Sequence, residues 1–394
     1  MKKTILMSLA AAAALNASEV NSEPNAGHVS GQIRAAYVAN DYDAGGNDYA
    51  AALGGVLKYE TRTWNGFKLA AAAYASQKAG FATGEDSTTN GDFLDENKKS
   101  YAYVGEAYVD YSTSDLTLRV GRQLLDTPLA DTDDIRMHPN TFEAAIATYG
   151  GIQNTTLIGG YVTRWAGLDS GDDKSTFKKP GGDESDGIAV AGILNNSIDN
   201  LSLQGWYYGI DRVADAFYAD ATYTLAFSDT ASAELIAQYA TFNEDKSSSV
   251  DGSVYGLGIR INAGAFTVGT AYNSAVNNEG KTVVNGYGGG PYLTSMEEWT
   301  IDGMEDAKAY QISGEADMGF AGIEGLSISA LYGIFKSAAL ETRIKEWDLI
   351  LAYELSEALT VDASYAVIND CHDNADGGSD AGYRRALVRA IYNF

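Results

Sequence analysis

Charge is the chemistry this 394-residue chain has to offer, and it is unevenly placed. The stretch Arg122–Glu143, RQLLDTPLADTDDIRMHPNTFE, packs Asp126, Asp131, Asp133, Asp134 and Arg136 around two prolines. Four other arginines, Arg34, Arg119, Arg385 and Arg389, fall on the polar side of alternating segments. Arginines on one wall opposed by carboxylates on another create a transverse field, which is how a narrow passage sorts ions and small charged solutes. Covalent chemistry is poorly served. The three histidines, His28, His138 and His372, lie far apart, and a hydrolase would need a nucleophile with a base beside it. The single cysteine, Cys371, excludes an internal disulfide and any cysteine-based zinc cluster. Acidic groups such as Asp169, Asp172 and Asp173, or Asp370, Asp373, Asp376 and Asp380, carry hard oxygens suited to Ca²⁺, but none has EF-hand spacing. They read better as solvated loops that bridge lipopolysaccharide through divalent cations. The residues call for no cofactor and no enzymatic role.

Composition narrows what could position these charges. Lys and Arg total 27 against 53 Asp and Glu, a net charge of −26, so a nucleic-acid partner is excluded by phosphate repulsion. Apolar residues make up 45% of the chain while mean hydropathy is only −0.19, so the two kinds must be interleaved. Interleaving is visible at period two. Val29, Gly31, Ile33, Ala35 and Tyr37 share one face and Ser30, Gln32 and Arg34 the other. Tyr49 to Tyr59, Tyr101 to Tyr111, Phe217 to Phe227 and Trp347 to Tyr353 repeat the pattern. In the second of these, Tyr101, Tyr103, Gly105, Ala107, Val109 and Tyr111 are expected on the apolar face. Alternation over nine to eleven residues with aromatics at the ends marks membrane-spanning strands, since soluble strands usually run about 5–6 residues.

Eighteen such segments are expected, centred near residues 33, 54, 71, 106, 118, 148, 160, 191, 205, 222, 236, 258, 268, 312, 330, 349, 363 and 388. Their connections alternate between short and long. Short ones fall at 112–115, 153–154, 195–200, 228–230, 262–263 and 356–358; long ones at 77–100, 122–143, 165–186, 243–252, 273–306 and 370–382. An outer-membrane barrel has this asymmetry, with short periplasmic turns, long extracellular loops and an even strand number. The fold expected is therefore all-β: a transmembrane antiparallel β-barrel of 18 strands, with the 122–143 loop folded inward as a constriction. The last segment, with Ala386, Val388, Ala390, Tyr392 and Phe394 on its apolar face, suits a sheet that closes without a free edge in lipid. Its terminal aromatic resembles the assembly signal of bacterial outer-membrane barrels, so Phe394 is expected to engage the barrel assembly machinery.

Residues 1–17 read as a signal peptide: Lys2 and Lys3, an apolar run from Ile5 to Leu15, and small residues near Ala17. That run is too short to span a bilayer as a helix. The remainder, 18–394, reads as one barrel domain exported to the bacterial outer membrane, with too little chain before the first strand for a plug.

Two stretches resemble OprD-like outer-membrane porins. Gly121–Ala144, GRQLLDTPLADTDDIRMHPNTFEA, is similar to their strand-to-constriction-loop segment, and Gly288–Met304, GGGPYLTSMEEWTIDGM, to their long seventh loop. The resemblance implies an eighteen-stranded channel, often a homotrimer, for small charged nutrients, with a basic ladder facing an acidic pocket. By motif position Arg122 joins the ladder, and Asp126, Asp131, Asp133, Asp134, Glu297, Glu298 and Asp302 are pocket candidates. Arg34, Arg119, Arg385 and Arg389 are added from strand parity. The expected activity is passive diffusion with cation preference, given the acidic excess, in contact with outer-membrane lipid and lipopolysaccharide. The rival reading is a surface protein acting as adhesin or structural component through its long loops.

Overall fold

The computed structural model describes residues 27–371 and 382–394; the proposed signal peptide, His372 and Asp373, Asp376 and Asp380 lie outside the described residues. Eighteen antiparallel strands close into one sheet. In chain order they are β1 (His28–Tyr42), β2 (Asp48–Glu60), β3 (Phe67–Lys78), β4 (Tyr101–Ser112), β5 (Leu116–Gln123), β8 (Thr141–Ile152), β9 (Thr155–Ala166), β10 (Ile188–Ile198), β11 (Leu201–Ile210), β12 (Ala214–Ser228), β13 (Ala231–Glu244), β14 (Gly252–Ala263), β15 (Phe266–Val276), β16 (Lys308–Asp317), β17 (Leu326–Ser337), β18 (Thr342–Glu354), β19 (Leu359–Asp370) and β20 (Tyr383–Asn393). Two further short strands, β6 (Asp126–Thr127) and β7 (Ala130–Asp131), form a hairpin inside the loop after β5. Each of the eighteen expected centres falls within a barrel strand.

Each strand pairs with its neighbours in sequence, and β1 returns to β20 from Gln32↔Asn393 to Tyr42↔Tyr383. Phe394 completes the seam by exchanging backbone hydrogen bonds of 3.0 Å with Gly31 in both directions. Closure leaves no open edge, the condition for a sheet in hydrocarbon, where an unpaired backbone group costs several kcal/mol. Among the described residues no helix is long and apolar enough to cross a membrane.

Burial inverts the soluble pattern. Val29, Ile33, Leu53, Leu57, Leu69, Val120, Leu257, Ile261, Ile312 and Trp347 are exposed, forming the outward belt that lipid would cover, while Arg34, Glu106, Asp110, Gln238 and Asp348 are buried inside. The connections 79–100, 124–140, 167–187, 245–251 and 277–307 all lie at one end of the barrel, and among the described residues the other end has none longer than the eight residues 318–325. The long-loop end also has three short ones, at 43–47, 211–213 and 338–341.

The face expected for Tyr101 and Tyr103 is corrected by a β-bulge. The β3–β4 register slips between Ala72↔Glu106 and Ala73↔Val104, leaving Gly105 as the extra residue. Parity therefore flips above Gly105: Val104 is exposed, while Tyr101 and Tyr103 turn into the lumen and pack on buried Tyr74 and His138. Only glycine fits there, since a Cβ would lie 2.7 Å from the Tyr74 ring. Period-two reading has no means of seeing a single inserted residue.

The molecule's apolar core is inside the barrel, where long loops turn inward on their own hydrophobic residues. Phe93, Leu94, Leu129, Met137, Tyr292, Ile301 and Met304 are all nearly inaccessible; Leu129, Tyr292, Ile301 and Met304 pack with wall residues such as Trp206, Tyr208, Phe242 and Phe335, whereas Phe93 and Met137 form a second cluster with Val38, Ala50 and Leu387. Burying such a side chain is worth about 1.5–3 kcal/mol, enough to offset the entropy of ordering one or two residues of an otherwise polar loop at about 1–2 kcal/mol each.

Candidate functional site

Three loops meet on the wall formed by β1 and β20. Arg385 and Arg389 lie on one face of β20, four residues apart, with buried Leu387 between them, and Arg34 lies on the inner face of β1. Each meets a carboxylate. Arg34 holds Asp134 through two hydrogen bonds, at 2.7 Å from Nη1 to Oδ1 and 2.8 Å from Nη2 to Oδ2, and also donates to the Arg136 carbonyl and to Gln32 Oε1. Arg389 pairs with its cross-strand partner Asp362 at 2.8 Å and donates to the Asp134 carbonyl at 2.9 Å. Arg385 is bound to Asp92 and stands 3.0 Å from Glu298 Oε1.

Arg136, from the constriction loop, completes the knot. It is 2.9 Å from Asp92 and 3.6 Å from Glu298. Burial alone would raise the Asp92 carboxyl, but Arg136 and Arg385 outweigh it and hold the group below its ordinary value. Glu298 goes the other way: burial raises it despite the same two arginines. The loop carrying it is pinned to β18, whose Glu346 accepts from the Glu298 and Trp299 amides, both at 2.9 Å, and whose Asp348 accepts from the Glu297 amide at 3.2 Å. Asp302 is spent within that loop, accepting 2.6 Å from the Asn285 amide, and burial raises it too.

The constriction loop and the 277–307 loop are joined by backbone. Asp131 N donates to the Tyr287 carbonyl at 3.0 Å and Tyr287 N to the Leu129 carbonyl at 2.9 Å, a parallel bridge through Ala130. Gly288, at φ +101°, makes this approach, for a Cβ there would lie 2.3 Å from the Asp131 carbonyl oxygen. Asp126 pairs with Asp131 in the β6–β7 hairpin and accepts from the Thr132 hydroxyl at 2.5 Å. Asp131 accepts from the Asp133 amide at 2.8 Å. Burial pushes Asp131 up to about 7, with Asp126 and Asp169 adding repulsion. Asp133 and Asp169 face each other and are raised by the same burial.

The remaining basic candidates lie elsewhere. Arg119 is on the inner wall but belongs to a separate network, bound at 2.6 and 2.9 Å to Asp110, its partner across the β4–β5 ladder, and stacked 4.1 Å over Tyr108. Lys58–Glu106 and Lys68–Glu60 continue that network. Arg122 is not brought to Arg34, Arg385 or Arg389. It shares the outward parity of Leu118 and Val120, pairs with Glu143 at 2.9 Å, and donates 2.9 Å to the Val104 carbonyl. Short β5 ends at Gln123, so its side chain takes over where the backbone ladder stops.

A lumenal cavity lies beside the loops, on the side of the barrel formed by β11–β16. It is bounded by Thr127, Asp131 and Gly288–Leu293 of the loops and by Gln204, Asp220, Glu234, Gln238, Arg260, Gln311 and Ser313 of the strands. Asp220 accepts from Gln204 at 2.5 Å and Tyr218 at 3.0 Å; Arg260 is paired with Glu234 at 2.7 Å. Sequence reasoning missed Asp92 and Asp220 as site residues. The Phe93–Leu94 pair inside a polar loop was the available signal for the first, and inward parity for the second. His138 accepts or shares a 2.7 Å hydrogen bond with Tyr101, and burial holds it down at about 3, a neutral packing residue.

Solved structures of the same architecture are bacterial porins. Pseudomonas aeruginosa OpdQ is 19% identical at a TM-score of 0.74, over 93% of this chain and 97% of that one. Pseudomonas aeruginosa OpdK with vanillate is 16% identical at 0.76, over 93% and 98%. Acinetobacter baumannii OccAB4 is 16% identical at 0.78, over 94% and 98%. A comparison with curated protein sequences finds no match. The family model for the outer membrane porin, OprD family, matches residues 25–388. This chain, a closed barrel with loops packed into its lumen, therefore belongs to the OprD family of outer-membrane porins, non-enzymatic channels of the bacterial outer membrane.

Proposed function

We propose that the barrel conducts small charged solutes by passive diffusion and prefers cations. The observation that carries this is the charge left facing the lumenal cavity. Arg34, Arg385 and Arg136 are at most 8% exposed and each is paired with carboxylate, so the basic wall is neutralised by the loops it anchors. The cavity beside the loops is bounded by three carboxylates, Asp131, Asp220 and Glu234, and one guanidinium, Arg260, a balance of 1 − 3 = −2 when Asp131 is ionised. A negative lining in a low-dielectric wall concentrates cations and repels anions. The vanillate named with OpdK is an anion, and the lining described here favours the opposite charge.

The same reading takes the chain as exported by its N-terminal segment, assembled through Phe394, and grouped as a homotrimer in lipid and lipopolysaccharide. The test is planar-bilayer recording of refolded protein under a KCl gradient. Cation-selective reversal is expected, moving towards zero in the Asp131→Asn/Asp220→Asn double variant. Anion-selective reversal of the unaltered protein overturns the charge argument.

A further inference from the structure

One of the charge clusters on the outer wall unites both signs on three neighbouring strands. Arg122 of β5, Glu143 of β8 and Arg164 of β9 are direct register partners, Arg122↔Glu143 and Glu143↔Arg164, so all three project from the same face. That face is the outer one. Leu118, Val120 and Tyr149, which share their parity, and Tyr161, brought to the face of Arg164 by a register shift that leaves Thr163 as an extra residue, belong to the exposed apolar belt, whereas Gln123, Phe142 and Trp165 on the opposite face are buried. Glu143 is shared, 2.9 Å from Arg122 Nε and 2.5 Å from Arg164 Nε, leaving two guanidiniums on one carboxylate. The Arg164 side chain is 51% exposed and that of Glu143 only 16%. Exposed Lys179 follows Lys178, the bridge partner of Trp165, at the same rim. Asp186 and Asp211 stand on the Tyr161 side, where Asp211 accepts from the Asp186 amide.

We infer that Arg164 and Arg122 form a site on the outer wall for the phosphate of an anionic lipid in the long-loop leaflet. A charge on the lipid face of a barrel costs about 2–4 kcal/mol at the bilayer midplane but little near the interface. Three such charges together therefore mark the headgroup level. Their position agrees: Arg122 is next to the last residue of β5, and Glu143 and Arg164 lie beside the loops that follow β5 and β9. Glu143 orients the two guanidiniums through their Nε atoms; Arg122 is further held by the Val104 carbonyl and lies 4.2 Å over the Phe177 ring, so Arg164 supplies most of the paired donors that suit a phosphate. For a chain of net charge −26, a leaflet of phosphorylated lipid is otherwise repulsive. The basic pair supplies the local contact, continuous with the apolar belt that holds the acyl chains.

The experiment uses barrels refolded from denaturant, which carry no lipid from the cell, with native mass spectrometry counting bound bisphosphorylated lipid A. The unaltered barrel should bind it, and Arg164→Ala should bind about fivefold more weakly, the expected weight of one basic side chain at a charged lipid surface. Dephosphorylated lipid should show the same loss with the unaltered barrel, and Arg384→Ala, an exposed rim arginine on β20, should bind like it. Heat-modifiable migration verifies that each barrel is folded. Equal binding by the unaltered barrel and Arg164→Ala overturns the proposal, as does equal binding of dephosphorylated lipid. Displacement by inorganic phosphate at the lipid's concentration would make this a free-anion site, and loss of a multimer in lipid-free Arg164→Ala would make it a contact between copies; either result also overturns it.

Discussion

Arg34 of the barrel wall and Asp134 of the constriction loop, one hundred residues apart in sequence, meet through two near-parallel hydrogen bonds of 2.7 and 2.8 Å. The arginine is 1% exposed, so the contact is the loop's fixed anchor rather than a solvated ion pair. The loop backbone is tied to the same wall by Arg389. The geometry explains why a basic wall can exist without presenting free positive charge to the lumen.

Removing one partner of such a pair leaves a buried charge unmatched. Asp134→Ala should destabilise the barrel by about 3 kcal/mol, lowering the temperature of its heat-modifiable transition. It should also raise open-channel noise, because the loop loses its wall contact. An unchanged transition and an unchanged current trace would mean that the clamp does not hold the loop.

Asp131 links selectivity to pH. Its carboxyl titrates near 7, so at pH 6 most copies are neutral and at pH 8 most are charged. The cation-to-anion permeability ratio should rise from pH 6 to pH 8, and Asp131→Asn should flatten that rise. The sign for stability is opposite. The folded value lies above the usual carboxylate value of about 3.9, so the folded state binds the extra proton and this group's contribution is lost as pH rises through 7. Reversal potentials at the two pH values decide the first point.

Gly105→Val places side-chain atoms where a Cβ already lies 2.7 Å from the Tyr74 ring. Overpacking of this kind costs about 1–3 kcal/mol. It should also displace Tyr101 and Tyr103 from His138, seen as altered near-ultraviolet circular dichroism with unchanged strand content. If the near-ultraviolet spectrum is superimposable on that of the unaltered protein, the bulge does not set these rings.

Arg122→Ala removes the donor that satisfies the Val104 carbonyl above the end of β5. An acceptor left unmatched at a lipid-facing seam costs about 1–3 kcal/mol. Val104 and its neighbours should then lose amide hydrogen-exchange protection, while the Asp110–Arg119 pair lower on the same ladder keeps its protection. Equal protection in both proteins would remove the sealing role.

The alternation of side chains was enough, without any structure, to locate eighteen strands, their outward faces and the one-sided placement of the long loops. Lipid demands it: each strand must satisfy its backbone through neighbours and show apolar groups outward, and both conditions print themselves on the sequence at period two. Arg34, Arg385 and Arg389 were legible for the same reason, as polar-face residues of β1 and β20. Which carboxylate each would meet was not. Asp134 reaches Arg34 across one hundred residues and Asp92 reaches Arg385 across nearly three hundred. Pairings of that separation depend on how loops pack, and loop packing has no period. Parity also fails at one inserted residue, so Gly105 turned Tyr101 and Tyr103 inward unseen, and Arg122, read from a motif, proved to share its face with Val120. Tertiary structure alone decided that the arginine wall is covered by the loops it holds, and that Asp131, Asp220 and Glu234 share a lumenal cavity with Arg260. Burial and pairing belong to the assembled barrel, not to any one strand.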